Sequence, residues 1–274
     1  MKYLIINADD FGYSTGVNTG IVESHRCGVL TSTTIMPAMP GFDQAVGLIS
    51  QNPKLGIGVH LTLTCGAPLL KGHRTLVGDD GAFPRKPYYE NPDTEIDLDE
   101  VEMEWTAQIE RVLQAGITPD HLDSHHHIHI FKGVHEVFYS LARRYGLPVR
   151  NSWNAGGQYK GPIHAIPSDI ESPGTLIDFV KPAGVRYADS PTEYLKKVRA
   201  SFRSCIAQEL KRHDVVEVMT HPAFVDFTLA SGSSFNIART AEVEVLCDAE
   251  NRAFIDALED VQLVSYRTLY GSSR

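Results

Sequence analysis

The chain has no apolar run approaching the roughly 20 residues that a membrane-spanning helix requires. Its apolar start, Met1 to Asn7, stops at Asp9-Asp10 and lacks the longer apolar core and small-residue cleavage site of a signal peptide. Cysteine is scarce. Cys27, Cys65, Cys205 and Cys247 stand far apart and form no Cys-x-x-Cys pair. That argues against a disulfide framework or structural zinc and predicts buried free thiols in a cytoplasmic protein. Positive charge is in deficit, with 25 basic against 34 acidic residues and a net charge of -9. Neither nucleic acid nor an anionic membrane surface is expected as a partner. No Gly-x-Gly-x-x-Gly follows the first apolar run, which disfavours a dinucleotide fold.

What is present is a regular alternation of strand and helix patterns with no internal repeat. Strands are expected at 3–8, 29–36, 55–63, along the stretch from His121, at 185–188, 215–220 and 263–266. A strong amphipathic helix follows residue 98, with Leu98, Val101, Trp105, Ile109 and Val112 on one face and Glu100, Glu104 and Arg111 off it. Further helices are expected at 134–145, 175–180, 191–212 and 240–258, and a loop at 224–236. With 274 residues, 42% of them apolar, the chain suits a single domain over 1–274, with irregular insertions near 65–95 and 151–184. Alternating βα units mean a parallel sheet. Their number predicts an α/β fold, a distorted parallel β/α barrel of the TIM-barrel type.

Histidine is concentrated. Of twelve in the chain, five fall in His121-Leu122-Asp123-Ser124-His125-His126-His127-Ile128-His129. Imidazole is the commonest protein ligand for metals and the acid or base that works near neutral pH. Read as a strand, the stretch turns His125, His127 and His129 to one face and His126 to the other.

The remaining polar oddities fall at the ends of predicted strands. Asp9 and Asp10 follow the first, where alternation turns them to opposite sides. His60 ends the third, Asp123 and His125 a later one, and His221 a late one. Barrel enzymes place their chemistry at these ends. One Asp and two His from separate strands make a site with open positions for water and substrate, as a catalytic metal needs. Such ligands suit zinc, cobalt, manganese or nickel, and magnesium if waters complete the shell. The spare Asp is then a base, and a remote His an acid, for metal-assisted hydrolysis.

Four motifs in this order, Asn7-Ala8-Asp9-Asp10-Phe11-Gly12, Gly58-Val59-His60-Leu61, the His121–His129 stretch and Glu217-Val218-Met219-Thr220-His221-Pro222-Ala223-Phe224, resemble the YdjC/ChbG carbohydrate deacetylase family. The resemblance runs from residue 3 to about 270, with no matching motif at 65–95 or 151–190. It implies a deacetylase on a distorted β/α barrel that removes N-acetyl groups from chitooligosaccharides or related amino sugars. It also implies Asp10, His60 and His125 as ligands of a divalent metal ion, Mg2+ by the family's habit. Asp9 carries over as the base and His221 as the acid. Asp123 is expected to orient a histidine, with His127 and His129 beside it or facing the substrate. A small acetylated sugar is the expected partner, and a homodimer the family's tendency. The rival readings are a metal-dependent phosphoesterase or amidohydrolase, a catalytically silent sugar-binding protein, and a metal-buffering protein.

Overall fold

The computed structural model describes residues 1–91, 93–131, 133–152, 166–185 and 190–271. In chain order the strands are β1 (Lys2–Phe11), β2 (Ser32–Ile35), β3 (Gly56–Leu61), β4 (Leu122–Ser124), β5 (Thr175–Asp178), β6 (Val215–Thr220) and β7 (Val261–Val264). The helices are α1 (Thr15–Arg26), α2 (Phe42–Ile49), α3 (Lys86–Glu90), α4 (Leu98–Gln114), α5 (Val134–Tyr145), α6 (Pro191–Glu209), α7 (Phe227–Gly232), α8 (Ile237–Leu246), α9 (Ala249–Asp256) and α10 (Tyr266–Tyr270). None of the described helices is long and apolar enough to cross a membrane.

β1 is buried from Leu4 to its end, as its apolar run demands of a strand covered on both faces. It pairs in parallel with β2, β6 and β7. The sheet runs β4-β3-β2-β1-β6-β5, with β7 beside β1, and every pairing is parallel. All the strand ends that carry the polar motifs therefore lie on one rim.

The α/β class is as the sequence predicts, but the barrel does not close. Among the described residues β4 and β5 are edges, and the sheet curls into a half-barrel. Beyond β4 a single bridge, Leu122 with Val149, prolongs the pairing, and the Val149 N–H donates to Glu171 O at 2.9 Å. The chain leaves strand register at that point and carries Arg150 into the interior.

Three expected elements change type or length. Residues 175–180 hold β5 rather than a helix, because Thr175, Leu176 and Ile177 are buried against β6. The single helix expected at 240–258 is two, α8 and α9, divided where Asp248 caps the N–H groups of Glu250 and Asn251. The loop at 224–236 contains α7, capped by Asp226. The strand expected at 185–188 lies almost wholly outside the described residues. The thiols are free but not buried as expected: Cys27 is exposed and the others are half-buried.

α4 departs from its pattern in an informative way. Glu100 and Glu104, placed by periodicity on the solvent side, are buried. Glu104 accepts from the N–H groups of Leu69 and Leu70, and Glu100 from those of Arg74 and Thr75. Gln108 links the Glu104 carboxylate to both backbone groups of Thr62, just past β3. These side chains supply the hydrogen bonds that a loop without its own ladder needs. Glu104→Ala leaves two loop amides unpaired, so a loss of about 2 to 4 kcal/mol in urea unfolding is expected. A variant as stable as the parent would show that the loop does not depend on this carboxylate.

Candidate active site

β1 ends in a break that sets the site. Its register with β2 shifts between Ala8 and Phe11, and Asp10 has a left-handed backbone (φ 73°). The Gly12 N–H donates to Asn18 Oδ1 at 2.6 Å, which holds the turn into α1. The two neighbouring carboxylates face different partners, but it is this break and not strand alternation that separates them, and both line one cavity rather than opposite sides of the sheet.

Asp10 meets two imidazoles. Its Oδ1 lies 3.4 Å from His60 Nε2 and 3.0 Å from His125 Nδ1, while Oδ2 accepts from Arg239 Nη1 at 2.7 Å. Oδ1 is buried, yet no hydrogen bond of proper geometry reaches it. One ligand atom from each of Asp10, His60 and His125 lies within 4.8 Å of the others. A buried, unsatisfied carboxylate oxygen aimed between two imidazoles fits a cation. His60 is oriented from behind by Asp123, whose Oδ1 lies 2.6 Å from His60 Nδ1.

Asp9 is gripped by Arg150 through two hydrogen bonds of 2.6 and 2.7 Å. The same guanidinium reaches Asp123 at 2.6 Å and Glu217 at 2.9 Å, and Tyr266 donates to Glu217 at 2.6 Å. Asp9, His60 and Asp123 form a second group with metal-like spacing. Arg150 satisfies both its carboxylates, so that group does not fit an ion. Four buried carboxylates (Asp9, Asp10, Asp123, Glu217) face two buried guanidiniums (Arg150, Arg239). Two negative charges remain among these six groups; a proton on His60 offsets one of them, and a divalent cation at Asp10 would take that proton's place and offset both.

The field of this network moves its members' pKa values. Burial disfavours the His60 imidazolium, but Asp123, Asp10 and Asp9 overcome that and lift it to about 10. Burial pushes the Asp9 carboxyl upward, and Arg150 more than reverses this, holding it well below the usual range. Burial pushes Glu242 up to about 8. Burial, with Arg150 close by, drives His127 down to about 3, so it is neutral.

His221 ends β6 as expected, with Nε2 3.8 Å from Asp9 Oδ2. Its N–H donates to Glu242 at 2.6 Å, and its ring packs edge-on against Phe235. Arg239 and Glu242, three residues apart on α8, thus hold the ends of β1 and β6 respectively.

The histidine stretch corrects its prediction. β4 stops at Ser124, and His125–Ile130 is a 3-10 turn in which His126 and His127 are left-handed (φ 58° and 54°). The alternating faces therefore do not exist. His125 turns to Asp10, while His126 and His127 line the cavity. His129 faces away, stacked on Phe138 with its Nδ1 2.5 Å from Ser124 Oγ, so its place is structural rather than beside substrate. His121 is likewise held, by Asp120 and the Tyr266 ring.

Asp9, Asp10, His60, His125, His127 and His221 share one cavity of about 1360 Å³, walled by residues 78–87, 178–181 and 228–235 in part. Arg150, Arg239, Glu217 and Glu242 were not read from the sequence. Glu217 had a signal: a lone carboxylate inside an apolar strand needs a buried cation.

The chain matches the family described as YdjC-like protein over residues 3–257. It is 40% identical to a carbohydrate deacetylase of Brevibacillus brevis over 268 residues, covering 97% of this chain and 99% of that one. A carbohydrate deacetylase of Listeria monocytogenes is 41% identical over 268 residues, with the same coverage of both chains. Among solved structures, a candidate cellobiose-phosphate cleavage protein of Enterococcus faecalis V583 aligns with a TM-score of 0.77 at 34% identity, covering 98% of each chain. Motifs, geometry and relatives agree along almost the whole length, and the chain belongs to the YdjC-like family.

Proposed function

We propose that this chain is a metal-dependent carbohydrate deacetylase that hydrolyses the N-acetyl group of an acetylated amino sugar or chitooligosaccharide. One observation carries the reading: the unsatisfied Asp10 oxygen between His60 and His125, at the base of a cavity large enough for sugar rings. The names of the deacetylase relatives support it. Asp10, His60 and His125 would hold a divalent ion, which when bound would supply Lewis-acid polarisation of the acetamide carbonyl and a lowered pKa for water. Magnesium follows the family resemblance, while two imidazole ligands favour zinc or another transition metal. Free thiols, one of them exposed, suit a reducing compartment such as the cytoplasm.

The protons move between two residues. Asp9 takes a proton from the attacking water. Arg150 makes Asp9 a weak base, so the proton does not stay there. His221 Nε2, 3.8 Å away, receives it and delivers it to the amine as the C–N bond breaks. Acetate and a free amino sugar result. Asp123 keeps His60 in its ligand orientation through Nδ1.

The test is acetate release from N,N′-diacetylchitobiose by protein stripped of metal and refilled with magnesium, zinc, cobalt or manganese. Metal-dependent release is expected. Asp9→Asn should keep the metal and lose about 10²- to 10⁴-fold in kcat; a rate near that of the parent would remove Asp9 as base. The description of the Enterococcus relative favours one second reading, cleavage of a phosphorylated disaccharide, by phosphoester hydrolysis or at the glycosidic bond. Release of phosphate or of a monosaccharide phosphate from cellobiose phosphate, with no acetate from the acetylated sugar, would select it.

A further inference from the structure

Backbone strain in this chain is concentrated at the cavity. Among the described residues, four that are not glycine have left-handed backbones: Asp10, His126, His127 and Asp260. Three of the four line the cavity. Glycine takes this conformation without penalty, so two successive histidines there keep their side chains at a cost. The strain has no structural return, since neither ring packs in the core: His126 is exposed and His127 half-buried.

Each ring is anchored in the same way. His126 Nδ1 lies 3.0 Å from Thr64 Oγ1, and His127 Nδ1 lies 3.1 Å from Ser152 Oγ. Thr64 follows β3, which pairs with β4, and Ser152 follows Val149, which bridges Leu122 of β4 on its other side, so the anchors stand on separate segments. The His125 and His126 rings are 3.9 Å apart. Neither His126 nor His127 has a protein partner for Nε2 among the described residues. A hydroxyl on Nδ1 fixes each ring's orientation and leaves the other nitrogen for a ligand.

We propose that His126 and His127 are a pair of substrate-binding imidazoles, each locked through Nδ1 by a hydroxyl and presenting Nε2 to the sugar on either side of the candidate metal position. Neutral imidazole suits the task, because it can donate to or accept from a sugar hydroxyl or the acetamide according to tautomer. The pair touches substrate, whereas Asp10, His60 and His125 would hold the ion. This rests on the deacetylase reading for the substrate's class.

The experiment compares His126→Gly, His127→Gly and the double variant with the parent in acetate release. It also measures calorimetric binding of N,N′-diacetylchitobiose and of the metal alone. Glycine suits the left-handed backbone, so the variants are expected to fold, with Tm within a few degrees of the parent. Each single variant should raise KM about three- to tenfold at nearly unchanged kcat, and the double variant more, with metal affinity unaltered. Thr64→Val and Ser152→Ala should each reproduce part of the loss at their own histidine. Unchanged KM and sugar affinity would overturn the proposal. Weakened metal binding in the glycine variants would also overturn it, by making the pair a support for His125. If the parent binds the sugar without releasing acetate, the deacetylase reading fails alone, and the sugar affinities still decide the pair. If the parent neither binds nor cleaves it, both fall.

Discussion

Arg150→Met is expected to lose about 3 to 5 kcal/mol of stability at pH 8, read by chemical denaturation, and at least 10²-fold in kcat. The side chain is fully buried and serves Asp9, Asp123 and Glu217 at once. Methionine fills much of the volume but leaves three buried carboxylates facing one another. Removing one partner of a buried ion pair costs far more than the pair contributed, because the remaining charge has no water to turn to. The defect has a pH signature. In the parent, Arg150 holds Asp9 below the usual carboxylate range, so that stabilisation is present above the unfolded pKa and is lost only in acid. In the variant the same carboxylates resist ionisation, and protonating them relieves the repulsion. The gap between variant and parent should therefore narrow from pH 8 to pH 5. Arg150→Lys should fall between the two, since an ammonium is a point charge and cannot reach three carboxylates as a planar fork does. A methionine variant within about 1 kcal/mol of the parent at pH 8 would mean that this network is not what holds Asp9.

The residues at strand ends were legible in the sequence because strand periodicity and chain order are local properties. Asp9-Asp10 stops an apolar run, and His60 and His221 close apolar strands. A parallel sheet brings all such ends to one rim whatever its curvature. Curvature itself was not legible. Whether β4 and β5 meet depends on how the chain after Leu147 is used, and there it delivers Arg150 inward instead of continuing a strand. The histidine stretch misled for a related reason. Period two holds only while the backbone stays extended, and the left-handed pair at His126 and His127 abolishes it. Nothing in the residue types announces that turn, since histidine has no preference for it as strong as glycine's. On α4 the polar Glu100 and Glu104 read as solvated because the loop they anchor lies about 30 residues earlier in the chain. Arg150 and Arg239 were missed likewise: their partner carboxylates are remote in the chain, with Glu217 67 and Asp9 141 positions from Arg150, and Asp10 229 from Arg239.

Asp10→Asn should abolish metal binding and reduce acetate release to background, a loss of at least about 10³-fold, while the fold survives. The amide still offers an oxygen to Arg239, but toward His60 and His125 it presents N–H groups or a neutral oxygen in place of a charged one. In the parent, His60 must lose a proton before Nε2 can serve as a ligand. With its pKa near 10, metal and proton compete throughout the neutral range, so apparent metal affinity should rise about tenfold per pH unit from 6.5 toward 10. The metal-free protein should behave in the opposite sense. A histidine whose folded pKa is raised contributes stability that is fully present below its unfolded value and disappears as pH climbs through the folded one. Metal-free protein should therefore weaken as pH rises from 6.5 toward 10, because the His60 proton that offsets Asp10 and Asp123 is lost there. Metal-loaded protein should hold its stability across the same window, because the ion supplies that charge without titrating. Calorimetric Tm values with and without zinc or magnesium at pH 7 and pH 9 measure the divergence directly. Parallel pH profiles for the two forms would mean that the ion, if bound, does not sit against His60 and Asp10, and the assignment of this centre would have to be given up.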